Sequence, residues 1–190
     1  MSEAMAIVEP HRFTVEEFQR MGETGILTRE DRVELIDGQI VRMTPIGPPH
    51  AGTVSALLMM LGPVIGDRAV LSAQSPLILD DFSEPEPDLA LLKPSVDTYR
   101  QRHPRPDDVL LLIEVADTSG AYDRRVKIPL YAQAGISEYW IVDVNRRLVE
   151  VRRSPRGDGY ASVEELAPGA RLSPEAFPDI ELEVSGILGR

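Results

Sequence analysis

The chain of 190 residues contains no cysteine. Disulfides are excluded, and so are thiolate metal sites. Any metal held here must take oxygen or histidine ligands. Long hydrophobic runs are missing as well. The longest, Ala56 to Leu61, falls far short of the ~20 residues that span a bilayer. The opening stretch, MSEAMAIVEP, is acidic and lacks the apolar segment of a secretion signal. The sequence therefore reads as cytoplasmic, with no membrane contact. Aromatic residues are scarce at 5%, which disfavours a sugar-binding groove. Excess positive charge is absent too. The net charge of −11 argues against a protein that coats nucleic acid through a broad basic face. It leaves room for a nuclease, because clustered carboxylates are what a hard cation needs.

Apolar residues make up 43% of the chain, enough for a packed core. No repeat or linker interrupts it, so one domain is expected over residues 1–190. Thr14 followed by Glu17 is a capping box that opens a short helix ending near Gln19 or Met21. Asp37-Gly38 between two β-rich arms predicts a hairpin. Apolar residues at helical spacing, Val54, Leu57, Leu58, Leu61 and Ile65, predict a helix from Ala51 to Ile65, bent or ended by Gly62-Pro63. Short strands are expected at Ala69 to Ala73, Leu77 to Leu79 and Leu89 to Leu92, with a loop from Lys93 to Asp108. Val109 to Val115 is apolar except at Glu114, as in a central strand buried on both faces. Asp123 to Ala134 reads as a helix kinked by Pro129 and stopped by Gly135. Glu138 to Val142 follows as a strand. Strand, helix and strand make a right-handed parallel unit. Leu148 to Arg152, Tyr160 to Val163 and Ile180 to Val184 form a small antiparallel extension.

Glu114 is the most informative residue. A carboxylate inside an apolar strand must be paired, bound to metal or exposed at the strand's end. Asp88 follows Pro87 and opens a strand, a position that also suits a plain turn residue. Lys127 lies four residues after Asp123, as in a solvated helix pair. Taken together, the two carboxylates can share one Mg²⁺ that keeps several waters. A nearby amine can then offset charge on a phosphate in reaction. Tyr131 and Trp140 sit within apolar patterns and read as core.

Glu34-Leu35-Ile36-Asp37-Gly38, His50, Gln74-Ser75-Pro76, Glu86-Pro87-Asp88, Ile113-Glu114-Val115, Asp123 with Lys127 and Tyr131, and the run Gly135 to Asp143 occur in an order that resembles the Uma-two family. These are endonucleases of the PD-(D/E)XK superfamily, and the likeness runs from about Arg32 to Asp143. The resemblance implies an α/β fold with a restriction-endonuclease-like core. A mixed central sheet would be flanked by helices, with an N-terminal hairpin and a small C-terminal extension. It also implies Mg²⁺, with Mn²⁺ as a substitute, bound by Asp88, Glu114 and the backbone carbonyl of Val115. Lys127, Glu34 and His50 would complete the catalytic set. The superfamily pattern places lysine two residues after the glutamate. Here that position is Ala116, and the amine is carried by Lys127 instead.

The expected activity is hydrolysis of DNA phosphodiester bonds, with a homodimer if both strands are cut. Two alternatives stand beside it. One is a weak or inactive binding protein on a nuclease fold. The other is a metal-free hydrolase using Asp88 and Glu114 as an acid–base pair.

Overall fold

The N-terminal helix α1 (Val15–Glu23) starts where the sequence places it. The Thr14 hydroxyl accepts from the Glu17 amide, and the Glu17 carboxylate accepts from the Thr14 amide. The helix runs a turn further than its pattern suggests. The computed structural model describes residues 9–117 and 120–189, without the side chains of residues 121 and 123.

Strands β1 (Val33–Ile36) and β2 (Gln39–Arg42) form the expected hairpin. Its turn residues Asp37 and Gly38 both have positive φ, as a tight primed turn requires. A side chain at Gly38 would also strike Arg12, 2.6 Å from its Cβ. The hairpin docks on the segment before Pro85 through paired backbone bonds between Leu35 and Glu84.

Helix α2 (Pro48–Ile65) begins earlier than its pattern suggests, with the two prolines in its first turn where no amide is needed. It also continues through Gly62-Pro63. Leu57, Leu61 and Ile65 are all fully buried along one face. Each such side chain contributes about 1.5–3 kcal/mol, which together offsets the bond that Pro63 cannot make.

The central sheet has six strands in the order β3-β4-β5-β6-β7-β8. They are β3 (Val70–Ala73), β4 (Leu89–Leu92), β5 (Val109–Ala116), β6 (Glu138–Asp143), β7 (Leu148–Arg156) and β8 (Gly159–Leu166). Only β5 and β6 run parallel, joined by the predicted helical crossover. One face packs on α2, with Leu57 and Leu61 against Leu89, Leu111 and Ile113. The other carries Leu112, Ala116, Tyr139 and Ile141, covered by the crossover. The first two tail strands, β7 and β8, extend the main sheet as expected, whereas the third lies in a separate two-stranded sheet.

Three local expectations are corrected. Leu77 to Leu79 is not a strand. Both leucines are buried, but their amides bond to Pro85 and Ser83 carbonyls in a looped segment. The stretch from Ile180 gives only a two-residue strand, β10 (Leu182–Glu183), paired with β9 (Arg171–Leu172), before a final helix that the sequence pattern did not reveal. The crossover is not one kinked helix. Its helical turn α3 (Gly120–Tyr122) leads into a π-wound turn, Asp123–Lys127, and then α4 (Ile128–Gln133). Pro129 has no amide to offer the carbonyl one turn back, and the widened turn accommodates that. The side chain of Asp123, the expected helix partner of Lys127, lies outside the described residues. Among the described residues no helix is long and apolar enough to cross a membrane.

Candidate active site

The strand register gathers the acidic residues. Leu89 faces Ile113 across β4 and β5. One step beyond that pair, Asp88 therefore lies beside Glu114. Side chains alternate along a strand, so both carboxylates emerge on the face that carries Leu112 and Ala116. Gln74 extends the row on the other side, its amide bonded to the Asp88 carbonyl at 3.1 Å.

Four elements then converge. The hairpin brings in Glu34, the start of α2 brings His50, the sheet supplies Asp88 and Glu114, and the π turn carries Lys127. All five line one cavity of about 230 Å³, together with Gln74. Glu34, Asp88, Glu114 and Lys127 are buried.

Lys127 Nζ donates to Glu114 Oε1 at 2.9 Å and stands 3.6 Å from Glu34 Oε2. The Tyr131 hydroxyl donates to the same Glu114 oxygen at 2.9 Å. Glu114 Oε2 faces the Asp88 amide at 3.4 Å. Asp88 Oδ2 accepts from the Val115 amide at 2.8 Å and meets His50 Nε2 at 2.9 Å. Among the described residues Asp88 Oδ1 has a single long contact, 3.5 Å to the Gln74 side-chain amide. Glu34 Oε2 also accepts from the Glu86 amide at 3.3 Å.

Burial pushes the Asp88 carboxyl up. The hydrogen bond and charge of His50, the Val115 amide and Lys127 outweigh that and leave it lowered. Asp88 is therefore an anion at neutral pH. The Tyr131 hydroxyl moves the opposite way. Burial, then the negative charge of Glu114, holds it far above its ordinary value, so it stays a donor.

Tyr131 lies in the core, as its apolar pattern implies, but the pattern did not show what its hydroxyl does. It places that hydroxyl on Glu114. The signal was its spacing of four from Lys127, which puts both on one side of the helical segment. Asp117, Tyr122, Arg32 and Arg42 also line the cavity and carried no local signal.

The arrangement offers hard oxygen donors beside one amine. Among the described residues no group of three or more histidine, aspartate and glutamate side chains is placed to cage a metal. Two carboxylates lining one cavity still suit an ion that keeps much of its water, as Mg²⁺ does.

Among curated proteins none matches this chain. A solved structure from Anabaena variabilis, described as "a putative nuclease belonging to DUF820", superposes with a TM-score of 0.67. It is 16% identical, and the alignment covers 93% of this chain and 97% of that one. At that identity the likeness speaks for the fold. Residues 15–185 match the model of the Uma2 family, which bears the description "Putative restriction endonuclease". The match spans most of the chain, sheet and crossover included, and the protein is a member of the Uma2 family.

Proposed function

We propose that the protein is a Mg²⁺-dependent endonuclease that hydrolyses DNA phosphodiester bonds in the cavity around Asp88 and Glu114. The observation that carries this reading is an imbalance of buried charge. Glu34, Asp88 and Glu114 face one another around a single amine, Lys127, in a space open to solvent. Buried anions in excess call for a cation.

Asp88 and Glu114 would hold the ion, with the backbone carbonyl of Val115 as a third oxygen. The donors are all hard, and among the described residues Asp88 Oδ1 makes only a long contact, which fits Mg²⁺ or Mn²⁺. An ion bound there would supply an acidified water and draw charge from a phosphate oxygen. His50 fixes the Asp88 carboxylate from one side and the Val115 amide fixes it from the other. Tyr131 holds Glu114. Lys127 places its positive charge where negative charge builds up on the phosphate, and Glu34 keeps it aimed there.

The test incubates purified protein and plasmid with Mg²⁺ or Mn²⁺, beside Asp88→Ala. The expected result is cation-dependent nicking or cutting by the first protein alone. No cleavage of any DNA, with no rise in melting temperature on adding either cation, would overturn the reading. Ala116 in the superfamily's lysine position favours one alternative, a nuclease fold that binds nucleic acid without cutting it. That alternative retains DNA binding without turnover. A cytoplasmic setting suits this function. Paired cuts would need two copies, which sizing in solution would reveal.

A further inference from the structure

A second cavity, of about 850 Å³, adjoins the first. The two share Arg32, Met43, Ile46, Gln74 and Glu86 as a common wall. Beyond that wall the second cavity is apolar on several sides, with Phe18, Leu27, Val33 and Pro76 facing it. Gln19, Arg29, Glu84 and His103 add polar and charged edges, and Glu86 of the shared wall faces it too.

The shared wall is unusual in its backbone. Arg32 and Gln74 both have φ of 46°, a left-handed conformation that residues other than glycine rarely adopt. Such strain is kept where it aims a side chain. It also occurs here at the two polar side chains that face both cavities without formal negative charge. Among the described residues nine arginines are tied to carboxylates, Arg12, Arg102 and Arg153 among them. Arg29, Arg32 and Arg42 have no such ion pair among the described residues, and all three line one or both cavities.

We infer that the second cavity is a nucleotide subsite. It takes the unpaired base next to the scissile phosphate, while Arg32 at the shared wall holds the phosphate that joins the two nucleotides. This rests on the nuclease reading of the first cavity. Three observations select a base rather than more backbone. The pocket is concave, with Phe18, Leu27, Val33 and Pro76 to pack on a flat aromatic ring and polar side chains to bond to its edge. It opens directly from the proposed cutting site. The chain carries a net charge of −11, so it can neutralise few phosphates and must gain affinity elsewhere. A base held inside a duplex cannot enter such a pocket without leaving its stack. The preferred substrate is therefore a single strand, or a duplex with an unpaired nucleotide at the cut.

Gly22 supplies a clean plug. It lines this cavity, and a Cβ added there meets no atom within 4 Å. Binding is read by fluorescence anisotropy in EDTA, with a labelled single-stranded oligodeoxynucleotide of mixed sequence. The strand should bind at least about tenfold tighter than a blunt duplex of the same sequence, and a strand stripped of its bases should lose about the same factor. Arg32→Ala and Gly22→Trp should each weaken binding about tenfold, and Gly22→Ala should leave it unchanged. Hydrolysis of bis(p-nitrophenyl) phosphate in Mg²⁺, which needs the first cavity alone, should be the same in Gly22→Trp as in the parent.

Equal affinity for strand, duplex and base-free strand overturns the subsite. So does a Gly22→Trp protein that keeps its circular dichroism spectrum and binds like the parent. Absence of diester hydrolysis in the parent overturns the nuclease reading instead, and the anisotropy series still decides the subsite.

Discussion

Glu114 and Glu150 occupy one row of the central sheet, with Ile141 between them, and both are almost wholly buried. Their surroundings differ sharply. Glu150 is gripped by Arg124, Arg146 and Arg152. Arg124 reaches on to Asp143 at 2.7 Å, and the Arg146 amide caps the same carboxylate at 2.8 Å. Guanidinium forks saturate carboxylate oxygens and leave nothing for a ligand. Around Glu114 the cation is a compact amine, and two further carboxylates crowd the same space. One cluster is closed and arginine-rich. The other is anion-rich and opens to a cavity. Burial of an acid alone does not mark a site; the partner's shape and the local charge balance do. The π turn serves both clusters, with Arg124 anchoring it to the sheet three residues before Lys127.

The sharpest way to break this contrast is to neutralise one acid in each cluster. Asp88→Asn should lower cation-dependent DNA cleavage by about a thousandfold or more, with an unchanged circular dichroism spectrum. Glu150→Ala should do the reverse. It strands Arg152 and takes one of two partners from Arg124 and from Arg146, and should cost about 1–3 kcal/mol of stability in urea denaturation. A Glu150→Ala protein as stable as the parent would erase the distinction.

Next in size is the response to metal. Mg²⁺ at a hundred times its dissociation constant should stabilise the protein by about 2.7 kcal/mol. A thermal melt should show that gain abolished in Asp88→Asn and retained in Glu150→Gln.

The smallest effect is one of pH. Burial raises the Asp143 carboxyl, but the Arg146 amide and Arg124 pull it further down, below the ordinary 3.8. Its folded value is thus the depressed one. The stabilisation is complete above the unfolded value and fades as pH falls through the folded one. Below about pH 4 the parent should lose melting temperature more steeply than Asp143→Asn.

Much of this site was legible because burial and charge conflict locally. Glu114 stands out in an apolar strand, and Asp88 stands at the head of another. The hairpin was readable from Asp37-Gly38, since few other pairs accept two positive φ values in succession. What could not be read was set by distant partners. Tyr131 looked like core because its ring is core, and only the fold brings its hydroxyl to Glu114. Arg32 and Gln74 are ordinary in sequence, and only the docking of the hairpin on the segment before Pro85 brings them to one cavity wall. Leu77 and Leu79 alternate as a strand would, but the neighbouring chain segment offered them loop carbonyls rather than a ladder. The helix through Pro63 survived because a long buried face outweighs one missing bond.

Arginine dominates the basic residues of this chain, and only Lys93 and Lys127 are lysines. Lys93 is exposed and Lys127 is buried in the cavity wall. An amine-selective acylating reagent therefore has two side-chain targets of very different accessibility. The slow one is the cavity's own amine. Its rate of modification, followed by mass spectrometry, makes a ready-made footprint for whatever enters the cavity, with no label to engineer in.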